Sequence, residues 1–184
     1  MNDELRSILP SAALLGVLAV IALYLTLTRG WADENRMHIR AAVRIAVGAV
    51  LFQGAHFVEE LLTGLHERLP AIFGLAPMSL RFFVSFNLTW LAIWTLCAWG
   101  LAARRRAALF PLWFLGIACI ANGVAHPLLS VLVSGYFPGL VSAPVVAVLG
   151  VLLVRRLLLV TSTIDSSLGG PEAPFGQGGS AWPS

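Results

Sequence analysis

Five apolar runs, at about 8–28, 42–63, 79–101, 108–133 and 140–160, restrict this chain more than any other feature. Each approaches or exceeds the ~20 residues that a helix needs to cross a hydrocarbon core of about 30 Å. Lipid offers no partner to backbone N–H and C=O groups, so each run reads as a helix that satisfies its own. Composition agrees: of 184 residues 58% are hydrophobic and 11% charged, where a soluble domain is normally about 25% charged. The expected fold is an all-α integral membrane bundle of five transmembrane helices over residues 1–164. Residues 165–184 are rich in Gly, Pro and Ser and cannot bury enough surface to fold, so they read as a disordered tail. No internal repeat is visible.

The first run does not read as a signal peptide. Asp3 and Glu4 outweigh Arg6 ahead of it, and no clean small-x-small cleavage site follows. It is taken as a membrane helix. The two cysteines, Cys97 and Cys119, fall inside apolar runs with no disulfide or metal spacing, and read as packing residues.

All twelve basic residues are arginines. Arg29, Arg36, Arg40 and Arg44 flank the first connection, Arg104, Arg105 and Arg106 the third, and Arg155 and Arg156 the end of the last helix. The other side has Arg6, Arg68 and Arg81. By the positive-inside rule the N-terminus is expected outside and the C-terminus in the cytoplasm. These arginines read as topology signals and contacts with membrane lipid, so no nucleic-acid partner is expected despite a pI near 9.5.

The connections differ in kind. Ser134 to Gly139 is short enough to force an antiparallel hairpin. Gly64 to Pro77, broken by Pro70, Gly74 and Pro77, is half-apolar and is expected to lie at the outer interface over the helix ends.

Charges inside a span are costly, at about 2.5–3.5 kcal/mol each on insertion scales, and usually mark a site. His56-Phe57-Val58-Glu59-Glu60 places three ionisable groups in the second run. At i, i+3 and i+4 they share one helix face, and Gln53 falls below Glu60. The fourth run carries Asn122 and His126, also at i and i+4, and the third carries Asn87. Counted from the arginines, Glu60, Asn122 and Asn87 all lie about 24–25 Å along their helices, in the outer half of the membrane. A cation, protonation, or Arg68 and Arg81 reaching inward could compensate two adjacent acids there. A His and Glu one turn apart can bind metal, as in helix-bundle di-metal sites, or run acid–base chemistry. The bland readings are interhelical hydrogen bonds for His126, Asn87 and Asn122, and a solvated helix end for His66 and Glu67. Pro127, following His126, frees a carbonyl four residues back. The tryptophans read mainly as anchors or packing, with Trp90 and Trp94 as candidate walls of an apolar pocket.

The motif His56-Phe57-Val58-Glu59-Glu60 resembles the one that names the HXXEE family of small bacterial membrane proteins. Asn122-x-x-x-His126 and Tyr136-Phe137-Pro138-Gly139 are similar to that family's later pattern, and the resemblance covers roughly residues 45–160. It implies a multi-pass protein of the bacterial inner membrane and supplies no activity. Site design is more loosely similar to the emopamil-binding-protein group of sterol isomerases, whose His and Glu one turn apart correspond to His56 and Glu60. Glu59 is a departure from that pattern.

The leading expectation is an intramembrane enzyme acting on a lipid-like substrate. His56, Glu59, Glu60 and His126 would be the reactive groups, as ligands of a divalent metal or as acid–base groups, with Asn87 and Asn122 positioning them. The rivals are a proton- or cation-coupled transporter and a non-catalytic accessory protein. A cavity opening sideways to lipid would favour the enzyme, a polar path to both faces transport, and a layer packed without a cavity the accessory role. Oligomeric state, substrate and metal identity are not legible.

Overall fold

The computed structural model describes residues 3–32 and 36–164; the expected disordered tail, 165–184, lies outside the described residues. The helices are α1 (Asp3–Thr28), α2 (Arg36–Leu62), α3 (Leu65–Ile72), α4 (Leu80–Ala102), α5 (Leu109–Leu132) and α6 (Ala143–Val160). All but α3 are long and apolar enough to cross a membrane. Large apolar side chains such as Val20, Leu51, Leu96 and Val131 cover their outer faces. A surface of that kind belongs in lipid, and the chain is an integral membrane protein built as an all-α bundle.

Helix α5 is the centre of the bundle, in contact with α1, α2, α4 and α6. It buries Leu109, Leu112, Trp113, Leu115 and Cys119 completely. The Cys119 thiol donates to Gln53 Oε1 at 3.4 Å, in keeping with a packing role. Glycines bring α5 and α6 together. A Cβ on Gly123 would lie 2.2 Å from Ala147 Cβ, and one on Gly150 would lie 2.7 Å from the Gly116 carbonyl oxygen. Small residues permit this approach in a medium that offers no hydrophobic drive between helices. Gly123→Leu is expected to wedge the pair apart at a cost of about 1–3 kcal/mol or more. Thermal unfolding in detergent checks this, with Gly16→Leu as the silent control, since nothing lies within 4 Å of a Cβ at Gly16.

The arginine-bearing end holds one feature the apolar pattern does not disclose. Strands β1 (Arg29–Trp31) and β2 (Thr161–Thr163) pair antiparallel, Gly30 opposite Ser162. Arg29 Nε donates to Thr161 Oγ1 at 2.9 Å, and Arg104 Nη2 donates to the Ala32 carbonyl at 3.2 Å. This ribbon ties the C-terminal ends of α1 and α6.

The opposite end is closed by α3. Gly64, at φ +78°, takes the left-handed conformation that turns the chain out of α2. The Met78 amide then donates to the His66 carbonyl at 2.8 Å, folding the segment over the helix ends as expected.

Two helix starts differ from the apolar runs. α2 begins at Arg36, ahead of residue 42, because Arg and Met extend a helix readily. α6 begins at Ala143, after residue 140, because the residues before it are drawn onto α2 as described next.

Candidate metal centre

His56 and Glu60 stand one turn apart on α2, and α5 brings His126 to them. Glu60 Oε1 lies 3.2 Å from His56 Nε2 and 3.3 Å from His126 Nε2. The three ligand atoms fall within 4.8 Å of one another, and all three residues are buried. The imidazoles meet edge to face, centroids 4.8 Å apart at 86°. Two tetrahedral ligands at about 2.0–2.1 Å from a single zinc-like ion are roughly 3.3 Å apart, so both carboxylate–imidazole spacings suit one cation. The two imidazole nitrogens would have to draw together to within about 4.2 Å for all three to bind it at once.

The other ring nitrogens show which way the lone pairs point. His126 Nδ1 is 2.5 Å from the Pro138 carbonyl oxygen, which can only accept, so Nδ1 carries the proton. His56 Nδ1 is 2.7 Å from Ser142 Oγ. That hydroxyl spends its one hydrogen on Glu59 Oε2, so it accepts from His56 Nδ1–H. With both rings neutral, each Nε2 would therefore present a lone pair toward Glu60. His56 Nε2 is within ion-pair distance of Glu60 yet buried with no hydrogen bond. A carbonyl or hydroxyl behind each ring is the arrangement that fixes tautomer and orientation in metal-binding histidines.

Glu59, expected among the ligands, turns away from this cluster. Its Oε1 accepts from Tyr136 OH at 2.7 Å and Val141 N at 2.9 Å, and its Oε2 accepts from Ser142 N at 2.8 Å and from Ser142 Oγ. The carboxylate thus sits at the N-terminus of α6, where the helix dipole favours negative charge. It holds residues 141 and 142 out of the helix and fixes Ser142 behind His56. Burial, and then the hydrogen bond to Glu59, raise the Tyr136 phenol above its ordinary pKa. Ser142→Ala removes the group that orients His56, and is expected to weaken cation affinity by about 10–100-fold. A cation titration of that variant checks the figure.

Beside the cluster lies a cavity of about 520 Å³. Glu60, Asn87 and Asn122, the polar residues expected at one depth, line it together with His126 and Gln53 and so face a common space. Asn87 Nδ2 donates to the Phe83 carbonyl at 2.9 Å. Trp90 and Trp94 are in the wall, the less favoured reading of those residues, whereas Trp113 is packed in the core. His66 also lines the cavity, with Nδ1 buried and unpartnered. Arg68 and Arg81, considered as counter-charges, are exposed, and Arg68 donates to the Tyr136 carbonyl at 3.2 Å. Among the described residues no arginine pairs with Glu60.

Ser142, the Pro138 carbonyl and Gly139 were not legible as site components. The Ser134–Gly139 connection carried a turn signal and a likeness to the HXXEE family's later pattern, and neither shows which helix end it packs on. Protein-family models, curated proteins and solved structures were all compared with the chain, and none matched.

Proposed function

We propose that this is an intramembrane enzyme of the HXXEE type that acts on a lipid-like substrate with one divalent cation held by His56, Glu60 and His126. One observation carries the reading: two imidazole Nε2 atoms and a carboxylate oxygen converge beside a mostly apolar cavity, with each imidazole already anchored through its other nitrogen. Three protein ligands leave a coordination position open, as catalytic sites do. A cation there would polarise a substrate oxygen or activate water. It would also neutralise a buried acid that no arginine reaches.

The cavity favours an enzyme over a carrier. Toward the arginine end, among the described residues, the bundle is filled by Ala98, Leu101, Leu109 and Leu112, apolar and essentially inaccessible, a packed layer between the cavity and the second face. With the orientation given by the arginines, the protein sits in the bacterial inner membrane with its site in the outer half.

Metal analysis of detergent-purified protein tests the proposal. Stoichiometric metal that chelation removes, and that His56→Ala fails to retain, is the expected result. Folded wild-type protein that neither contains nor binds a divalent ion would overturn the metal reading. The same lone pairs would then share a proton, and acid–base chemistry at Glu60 becomes the mechanism to pursue.

A further inference from the structure

The lining of the cavity says what kind of lipid it accepts, an inference that rests on the enzyme reading above. α1 and α4 both pack on α5 but make little contact with each other, and the cavity fills the space between them. Its lining includes Leu14 of α1 and Phe82 of α4, which are 46% and 36% exposed, so the space opens to the outside between these helices. Leu14 lies about 12 Å along α1 from Arg6, within the apolar span, so the opening faces lipid.

No arginine lines this space, and the chain has no lysine. A divalent ion on Glu60 would leave one net positive charge, short of the roughly −1.5 to −2 of a phosphate monoester. A phosphorylated headgroup would remain under-compensated in a site that excludes water. The amides of Gln53, Asn87 and Asn122 suit a hydroxyl or carbonyl instead. The α4 wall is an aromatic ladder: Phe82 to Phe86, Phe86 to Trp90 and Trp90 to Trp94 have ring centroids 5.8, 6.5 and 5.5 Å apart. Phe114 lies 4.8 Å from Trp90 on the facing helix. Such a surface favours a flat, unsaturated body over a saturated chain.

We propose that the occupant is an uncharged, unsaturated lipid, an isoprenoid-like alcohol or carbonyl compound, which enters from the bilayer between α1 and α4. Retinol is a direct probe, because its polyene accepts excitation energy from Trp90 and Trp94. Farnesol is expected to displace it at least tenfold better than farnesyl phosphate, which has the same chain with a charged end. Equal or stronger displacement by the phosphate overturns the proposal. Leu14→Trp narrows the opening and is expected to slow retinol association at least threefold, with Val17→Trp, outside the cavity, as the comparison. Equal rates in the two variants overturn the lateral route.

The same titrations on Glu60→Gln separate this proposal from the metal reading. A preference for farnesol that persists in that variant belongs to the cavity itself, and stands even if the wild type proves metal-free. A preference for phosphate confined to metal-loaded wild type would overturn the uncharged substrate while leaving the metal site intact.

Discussion

Gly139→Ala is expected to cost about 3–5 kcal/mol and to abolish cation binding, the sum of left-handed backbone strain and overpacking of a rigid site. Gly139 has φ +86°, a conformation that an L side chain rarely adopts. An added Cβ would also lie 2.6 Å from His126 Cε1 and 2.9 Å from His56 Cε1. Neither imidazole can retreat without losing its partner, the Pro138 carbonyl for one and Ser142 for the other. The damage should therefore appear in two readouts at once: a lower unfolding temperature in detergent and loss of bound metal. Gly135→Ala in the same loop is the control. A Cβ there meets only the Val133 carbonyl at 3.9 Å, so a change within about 0.5 kcal/mol is expected. A Gly139→Ala protein with wild-type stability and metal content would show that the loop does not hold the rings.

The second large effect separates the two adjacent acids. Glu60→Gln removes the charge between the histidines, and cation affinity should fall by more than the ~100-fold that loss of an outer partner can cause. At a cation concentration of 100 times the wild-type Kd, about 2.7 kcal/mol of ligand-linked stabilisation should vanish with it. Glu59→Gln should behave differently. It weakens the anchoring of Tyr136, Val141 and Ser142, so apo-protein stability should drop by about 1–3 kcal/mol, as hydrogen bonds to a charged group are lost at a partly exposed position. Affinity should fall only within the 10–100-fold range expected for a supporting group. Melting curves with and without cation, for both variants, give the comparison. Equal loss of affinity in both would mean that Glu59 is a ligand after all.

The motif itself does not reveal this division of labour. His56, Glu59 and Glu60 lie on one helix face, and spacing alone assigns all three to one site. The side chains diverge because α6 starts beside Glu59, while α5 presents His126 to Glu60. Glu60, Asn87 and Asn122 were legible as a layer because counting along a helix fixes depth. Depth does not fix azimuth, so counting could not tell a shared cavity from separate hydrogen bonds. The wall formed by Trp90 and Trp94 was open for the same reason, since an aromatic pair one turn apart packs equally well against a helix or a ligand.

What the chain determines by itself follows from the medium. Apolar runs of spanning length must be helices, because lipid leaves backbone groups no other partner. Ionisable residues within those runs must find compensation, because burying them alone is costly. These rules suffice for an all-α membrane bundle and for a polar centre near His56. Only the tertiary structure decided the rest: that His126 and not Glu59 completes the centre, that Gly139 leaves room for both imidazoles, and that the space between α1 and α4 stays open. Those outcomes depend on contacts between helices distant in sequence, where a difference of an ångström decides whether an atom is a ligand, a hydrogen-bond partner or a clash.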